Sequence, residues 1–249
     1  MTNRLGKSLD KTYLSCDNAE ERGFLHRDYI AHCLRWTHIV KFLTEKNRYK
    51  DVRILDIGCG KEAPLIKTLY SSRLLPYFYC GIDAGNIQPS INFDKFPQVH
   101  FFSNTNMMDI DPSGQAFEVI VMFEVLEHVE KDAGLKLLKH VQEFMGPDTT
   151  FFMSTPCFNG SAAGNHVYEW RYEELAEELI SLGFKIINQW GTFASIKDYG
   201  PVLQQHNLEE VFAKFREYYD SNYLATIFAP LFPRYARNVL WKLSLPTLA

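Results

Sequence analysis

The chain has 249 residues, with 26 Lys+Arg against 30 Asp+Glu and a formal net charge of −4. Its 46% hydrophobic and 22% charged content is that of an ordinary globular protein and argues against disordered, collagen-like and disulfide-scaffold classes. A sequence pI near 6.1 shows no basic excess, so bulk electrostatic binding of nucleic acid is not expected, and only a local basic patch is left open.

Cys16, Cys33, Cys59, Cys80 and Cys157 are odd in number, widely spaced and free of any C-x-x-C pair. That disfavours a disulfide framework or a cysteine-based zinc site and fits a reducing compartment. The polar N-terminus lacks the apolar core of a secretory signal, and no apolar run approaches a bilayer span. A soluble, cytoplasmic protein without a membrane partner is expected.

Residues 1–17 read as loose, and helical spacing runs from about Ala19 to Lys46 through Phe24, Tyr29, Ile30, Cys33, Leu34, Trp36 and Val40. The run Val52–Ile57 reads as a buried strand stopping at Gly58-Cys59-Gly60, with a helix from Ala63 to Ser71 that tolerates Pro64 in its first turn. Further strands are expected at Tyr77–Asp83, Val99–Ser103, Phe117–Phe123, Thr150–Thr155 and Phe184–Trp190. Helices are expected at Lys131–Met145 and at Arg171–Leu182, the second ending at Gly183. Strands alternating with helices imply an α/β fold, a mostly parallel sheet with helices on both faces.

After residue 190 the rhythm breaks. Leu208–Tyr219 has amphipathic spacing, and Asn222–Leu245 is rich in aromatics, with Pro230 and Pro233. The division expected is an N-terminal helical segment over 1–48, a sheet domain over 49–196, and a C-terminal helical lid or packing layer over 197–249. A final antiparallel strand is placed either near Trp190–Ile196 or near Val239–Leu243.

In an open parallel sheet, ligands bind outside the carboxyl ends of the strands. Gly58 and Gly60 permit a tight turn and close backbone approach there, and the next helix offers free N–H groups. Gly58-x-Gly60-x-x-Ala63 alone also satisfies a loose dinucleotide fingerprint, so an NAD-binding oxidoreductase is one alternative. Asp56, two residues before the first glycine and so at the mouth of the site, would repel a pyrophosphate and attract the ammonium group of S-adenosylmethionine. Asp83, ending the second strand, can accept from both hydroxyls of a ribose. Asp109, in Asn106-Met107-Met108-Asp109, can accept from an adenine amino group, with Asp111 beside it.

Taken in order, VRILDIGCG, GID, MMDI, FEVIVMFEVLEHV and FFMSTP resemble the motif set of class I S-adenosylmethionine-dependent methyltransferases, over roughly residues 50–190. The resemblance implies a Rossmann-like, seven-stranded sheet. It also implies a cofactor site in which Asp56, Gly58 and Gly60 line the methionine end, Asp83 the ribose, and Asp109 with Met108 the adenine. Cys59, Ala84, Phe123 and Glu124 complete the candidate cofactor set, Cys59 as a small residue that fits the turn. Two departures stand out. The usual third glycine gives way to the Lys61-Glu62 region, and Asn86–Pro97 shows little sign of a helix.

Methyl transfer needs alignment above all, with a base where the nucleophile holds a proton. Glu124, Glu127 and His128 stand at i, i+3 and i+4, and His166 lies in the loop after the fifth strand, Asn165-His166-Val167-Tyr168-Glu169-Trp170. Glu127, His128 and His166 are the catalytic candidates, with His128 or His166 as general base. Together with Glu124 they could instead hold a divalent metal that grips a diol. E-x-x-E-H with a later His is similar to small-RNA 3′-terminal 2′-O-methyltransferases and to ubiquinone-pathway O-methyltransferases; E-V-L-E-H-V also resembles metal-free members. His26, Arg27, Tyr29 and His32 cluster on the first helix, which in related enzymes closes over the cofactor.

The reading is therefore O- or N-methylation of a small-molecule, sugar or nucleotide-type acceptor. The alternatives are an RNA end served locally by Arg234, Arg237 and Lys242, the oxidoreductase above, or a non-catalytic cofactor-binding interaction module.

Overall fold

The computed structural model describes residues 27–46, 49–112, 116–194 and 196–246. The elements in chain order are α1 (Arg27–Lys46), β1 (Arg53–Ile57), α2 (Pro64–Ser71), β2 (Phe78–Ile82), β3 (Val99–Phe102), β4 (Phe117–Phe123), α3 (Lys131–Gln142), β5 (Met145–Pro156), α4 (Tyr172–Ser181), β6 (Lys185–Phe193), α5 (Ile196–Gln205), α6 (Glu209–Phe215), α7 (Ser221–Phe228) and β7 (Asn238–Ser244). Among the described residues no helix is long and apolar enough to cross a membrane.

The seven strands form one sheet in the order β3-β2-β1-β4-β5-β7-β6. β1, β2, β3, β4 and β5 run parallel, while β7 is antiparallel to both β5 and β6. Parallel central strands are buried on both faces, which is why FEVIVMF reads as a continuous apolar run. Alternate residues then serve opposite cores. Val119 and Val121 face α1 and α2, whereas Ile120 and Met122 face α3 and α4. On the first side Ile39 and Leu43 of α1 pack with Leu65, Ile66 and Leu69 of α2. On the second, Leu137 and Leu138 of α3 and Leu175 and Leu179 of α4 pack with Tyr199, Phe212 and Leu224 of the C-terminal helices.

One expected helix ends early, one open placement is decided and one expectation holds, each for a physical reason. The helix expected over Lys131–Met145 stops at Gln142, because Met145 pairs with Phe117 and starts a longer β5. The final strand is Asn238–Ser244, so the 197–249 segment adds helices and then returns into the sheet. Asn86–Pro97 contains no helix; it is held as a loop by Gln88 N–H donating to Lys61 O at 2.6 Å and by buried Ile87 and Phe93.

Candidate functional site

The carboxyl ends of β1, β2, β4 and β5 meet at one rim of the sheet. At the end of β1, Gly58 and Gly60 have φ of 69° and 74°, a left-handed conformation that costs any other residue free energy. A side chain at Gly58 would meet Val125 Cγ2 at 2.2 Å, whereas one at Gly60 would meet nothing within 4 Å. The space beside Gly60 is thus an open cradle. Gly58 and Cys59 donate their N–H groups to Ile82 O at 2.8 and 3.1 Å, locking the turn to β2.

Asp83 closes the same cradle. Its Oδ2 accepts from Gly60 N–H at 2.7 Å and its Oδ1 from Gly85 N–H at 2.7 Å. Each carboxylate oxygen retains a second lone pair for a hydroxyl donor. Asp56 lies deeper than its expected place at the mouth. It is 4% exposed and accepts from Tyr79 OH at 2.6 Å. Burial pushes its pKa up to about 7, against the lowering effect of the Tyr79 hydrogen bond and with help from the Asp83 charge. Burial and the charges of Asp56 and Asp83 push the Cys59 thiol far upward, so it stays protonated.

Beyond β3, Asn106 caps a short turn, its Oδ1 accepting from Met108 N–H at 3.0 Å. Met107 turns inward, leaving Met108 and Asp109 exposed, as is Ala84 after β2. Asp111 is also exposed.

Glu124, just past β4, has φ of 56°, and such strain in a non-glycine residue persists only where its surroundings hold it. Its carboxylate pairs with Arg35, accepts from Ser154 Oγ at 2.8 Å, and accepts from Asn238 Nδ2 at 3.0 and 2.8 Å. That occupation corrects the expected four-residue metal group. Among the described residues, the groups whose ligand atoms lie within 4.8 Å of one another are Glu127, His128 and His166, without Glu124. Residues Leu126–His128 form a single 3-10 turn, which sends Glu127 inward and His128 outward.

Glu127 is 1% exposed and accepts from Thr155 Oγ1 at 3.2 Å. Burial, reinforced by the Glu124 charge, lifts its carboxyl well above the usual range. Its backbone carbonyl accepts from Val167 and Tyr168 N–H at 2.7 and 3.2 Å, which draws the loop after β5 over the turn after β4. The two imidazoles thereby meet edge to face, centroids 5.2 Å apart.

Their partners fix their tautomers. His128 Nδ1 lies 3.2 Å from Asn165 O, an acceptor only, so Nδ1 carries the proton. His166 Nδ1 lies 2.5 Å from Glu169 Oε1 and donates likewise. Both Nε2 lone pairs are left to accept a proton or a metal. Burial tends to raise the Glu169 pKa, but hydrogen bonds from Arg237, Ala163 N–H and His166 outweigh it and hold the group ionised. Arg237 Nη2 reaches Glu169 Oε2 at 2.6 Å and also donates to Ser161 O at 3.3 Å.

The sequence reading missed Arg35, Asn238 and Glu169 as parts of this rim. A lone cation in the apolar stripe of α1 was the available signal for Arg35, which is 2% exposed. The three basic residues expected to make a local patch each have a different partner. Arg237 is spent on Glu169, Arg234 pairs with Glu173 at 2.6 Å, and Lys242 lies 4.7 Å over the Phe42 ring. His26 and the side chains of Arg27, Tyr29 and His32 lie outside the described residues.

The methyltransferase-domain family matches residues 26–213, more than half of the chain. No curated protein matches the sequence significantly. The fold is similar to Burkholderia thailandensis 1,6-didemethyltoxoflavin-N1-methyltransferase bound to S-adenosylhomocysteine, with TM-score 0.53, 15% identity, and coverage of 94% of this chain and 84% of that one. It is also similar to Synechocystis PCC 6803 magnesium protoporphyrin IX methyltransferase with bound S-adenosylhomocysteine, with TM-score 0.57, 13% identity, and coverage of 95% and 97%. A (4+2)-cyclase, SpnF, shares the fold at TM-score 0.54 and 17% identity, covering 85% and 81%. With strand order, glycine turn and family match in agreement, the chain belongs to the methyltransferase-domain family as a class I S-adenosylmethionine-dependent methyltransferase.

Proposed function

We propose that the enzyme methylates an oxygen or nitrogen of a small-molecule, sugar or nucleotide-type acceptor, with His128 or His166 taking the acceptor's proton. The observation that carries this reading is the edge-to-face imidazole pair, each ring held by its Nδ1 so that Nε2 is available. When bound, S-adenosylmethionine supplies an electrophilic methyl group. Asp56, Gly58, Cys59 and Gly60 would line its methionine end, Asp83 and Ala84 its ribose, Met108 and Asp109 its adenine, with Phe123 and Glu124 at the rim. The open space beside Gly60 and the spare lone pairs of Asp83 support that assignment. Held there, the cofactor would supply the methyl carbon to the acceptor's lone pair, its sulfur keeping the electron pair of the carbon–sulfur bond. The acceptor's proton passes to Nε2.

Small acceptors are favoured over an RNA end because Arg234, Arg237 and Lys242 each meet a different partner. Two of the structural neighbours with bound S-adenosylhomocysteine are named for toxoflavin-type and porphyrin substrates. A second reading has its own support. Glu127, His128 and His166 make a donor set suited to a divalent cation, each histidine with its other nitrogen anchored. A cation held there would bind a vicinal diol or an RNA end and lower its pKa.

The test is methyl transfer from labelled S-adenosylmethionine to a panel of phenols, sugars, amines and short RNAs, with and without chelator. His128→Ala and His166→Ala should each reduce turnover by about 10²-fold with cofactor affinity retained. Unchanged turnover in both variants would refute the base assignment and favour the non-catalytic module.

A further inference from the structure

A cleft of about 250 Å³ opens at the start of the loop that carries His166. One wall is Cys157 and Phe158, directly after β5; the opposite wall is the first turn of α4 and the Pro233–Tyr235 turn before β7. Its aromatic surfaces are fixed before any ligand arrives. Tyr172 stacks on Trp241 with centroids 5.2 Å apart and donates its hydroxyl to Gln189 Oε1 at 2.7 Å. Tyr235 donates to Gln205 Oε1 at 3.3 Å. Rings held this way lose little freedom on binding a planar partner.

The charge in the cleft is positive although the whole chain is acidic. Arg171 lines it, exposed, and its guanidinium lies 6.0 Å over the Phe158 ring, with no carboxylate partner among the described residues. Arg234 meets Glu173 through Nε at 2.6 Å, and its side chain is 65% exposed, so the planar guanidinium fork can be reached by an anion from the cleft. Glu173 is the sole carboxylate of the lining against these two guanidinium groups. The thiol of Cys157 is buried and neutral, its pKa pushed up to about 12 by burial, so it does not repel an anion. The cleft is also joined to the reactive rim. Arg237 Nη1 donates to Cys157 O at 2.5 Å while Nη2 holds Glu169, the partner of His166.

We propose that this cleft is the acceptor-recognition subsite and takes a flat ring bearing an anionic group, a carboxylate or phosphate, with Arg171 and Arg234 on the anion and Tyr172 and Tyr235 against the ring. The acceptor role rests on the methyltransferase reading of the rim; the anion-binding chemistry does not. The volume suits one substituted ring, the recognised portion of an acceptor whose remainder extends toward His166. Drug-sized ligands fill roughly 300–1,000 Å³.

The experiment is an NMR titration of the whole chain with phenyl phosphate, benzoate, benzylamine and inorganic phosphate. Phenyl phosphate and benzoate should bind saturably and shift the Arg171 and Arg234 side-chain signals. Inorganic phosphate should bind more weakly and benzylamine not at all. Arg171→Ala and Arg234→Ala, at exposed side chains, should each weaken phenyl phosphate binding about tenfold. Both variants should keep their affinity for S-adenosylhomocysteine. No saturable binding, binding that survives both substitutions, or equal binding of benzylamine would overturn the proposal. Failure of the same sample to bind S-adenosylhomocysteine would instead strike the cofactor reading, and it is read in a separate titration.

Discussion

Replacing Asp56 by Asn should make the protein more stable at neutral pH while weakening its hold on cofactor. Asp56 is 4% exposed and its pKa stands at about 7 against an ordinary 3.8, chiefly because burial disfavours the charged form. For an acid raised in the folded state, stability is greatest below the unfolded pKa. It falls as pH rises from there to the folded pKa, and levels off above it. The gap between 3.8 and about 7, at ~1.4 kcal/mol per tenfold, is a loss of at most about 4 kcal/mol above neutrality. Asn keeps the acceptor for Tyr79 OH and has no ionisation to suppress. Urea unfolding of both proteins at pH 4.5 and pH 8 should therefore show the advantage of the variant growing by about 3 kcal/mol between the two. Glu127, also raised by burial, contributes equally to both proteins and cancels in the difference. A difference that stays flat with pH would refute the desolvated carboxylate. A higher stability bought at the expense of cofactor affinity would match the trade-off expected of a functional site.

If Asp83 holds the ribose as proposed, Asp83→Ala should weaken S-adenosylhomocysteine binding by about 1–3 kcal/mol in calorimetry, since it would remove charge-assisted hydrogen bonds to the hydroxyls and free the Gly60 N–H; an unchanged dissociation constant would contradict the ribose assignment. Arg35→Met should cost about 2–3 kcal/mol in chemical unfolding, because it leaves the Glu124 carboxylate without its cation in a partly buried site, and a loss within experimental error would show the pair to be incidental. Glu169→Gln should lower kcat about tenfold with little change in the KM for S-adenosylmethionine, because it removes the carboxylate that orients His166; an equal rise in KM would point to general disruption instead. If Glu127, His128 and His166 hold a cation, chelator should abolish turnover and manganese or magnesium restore it, and chelator-resistant turnover removes the metal reading.

The parallel half of the sheet was legible because local pattern and tertiary role coincide there. FEVIVMF is β4 to the residue, and the glycine turn follows β1 as the spacing requires. Legibility failed where partners come from distant sequence. For the last antiparallel strand the sequence leaves two places open, and pairing with β5 and β6 decides for the second, β7. The Glu124 carboxylate faces Arg35 and Asn238, one from α1 and one from β7, so its i, i+3 spacing with Glu127 misled. Asp56 was placed at the mouth of the site because sequence shows its position along β1 but not Tyr79 reaching across from β2. His128 and His166 were brought together correctly by topology alone, since both follow neighbouring strands at one rim.

The most direct test is thermal unfolding of the whole chain with S-adenosylhomocysteine, with NAD, and with neither. At about a hundredfold excess over its dissociation constant, a ligand that binds only the folded state adds roughly 2.7 kcal/mol, a clear rise in Tm. The structure predicts that rise with S-adenosylhomocysteine and none with NAD. No rise with S-adenosylhomocysteine, together with a rise with NAD, would contradict the assignment of Gly58, Gly60 and Asp83 to a methyl donor.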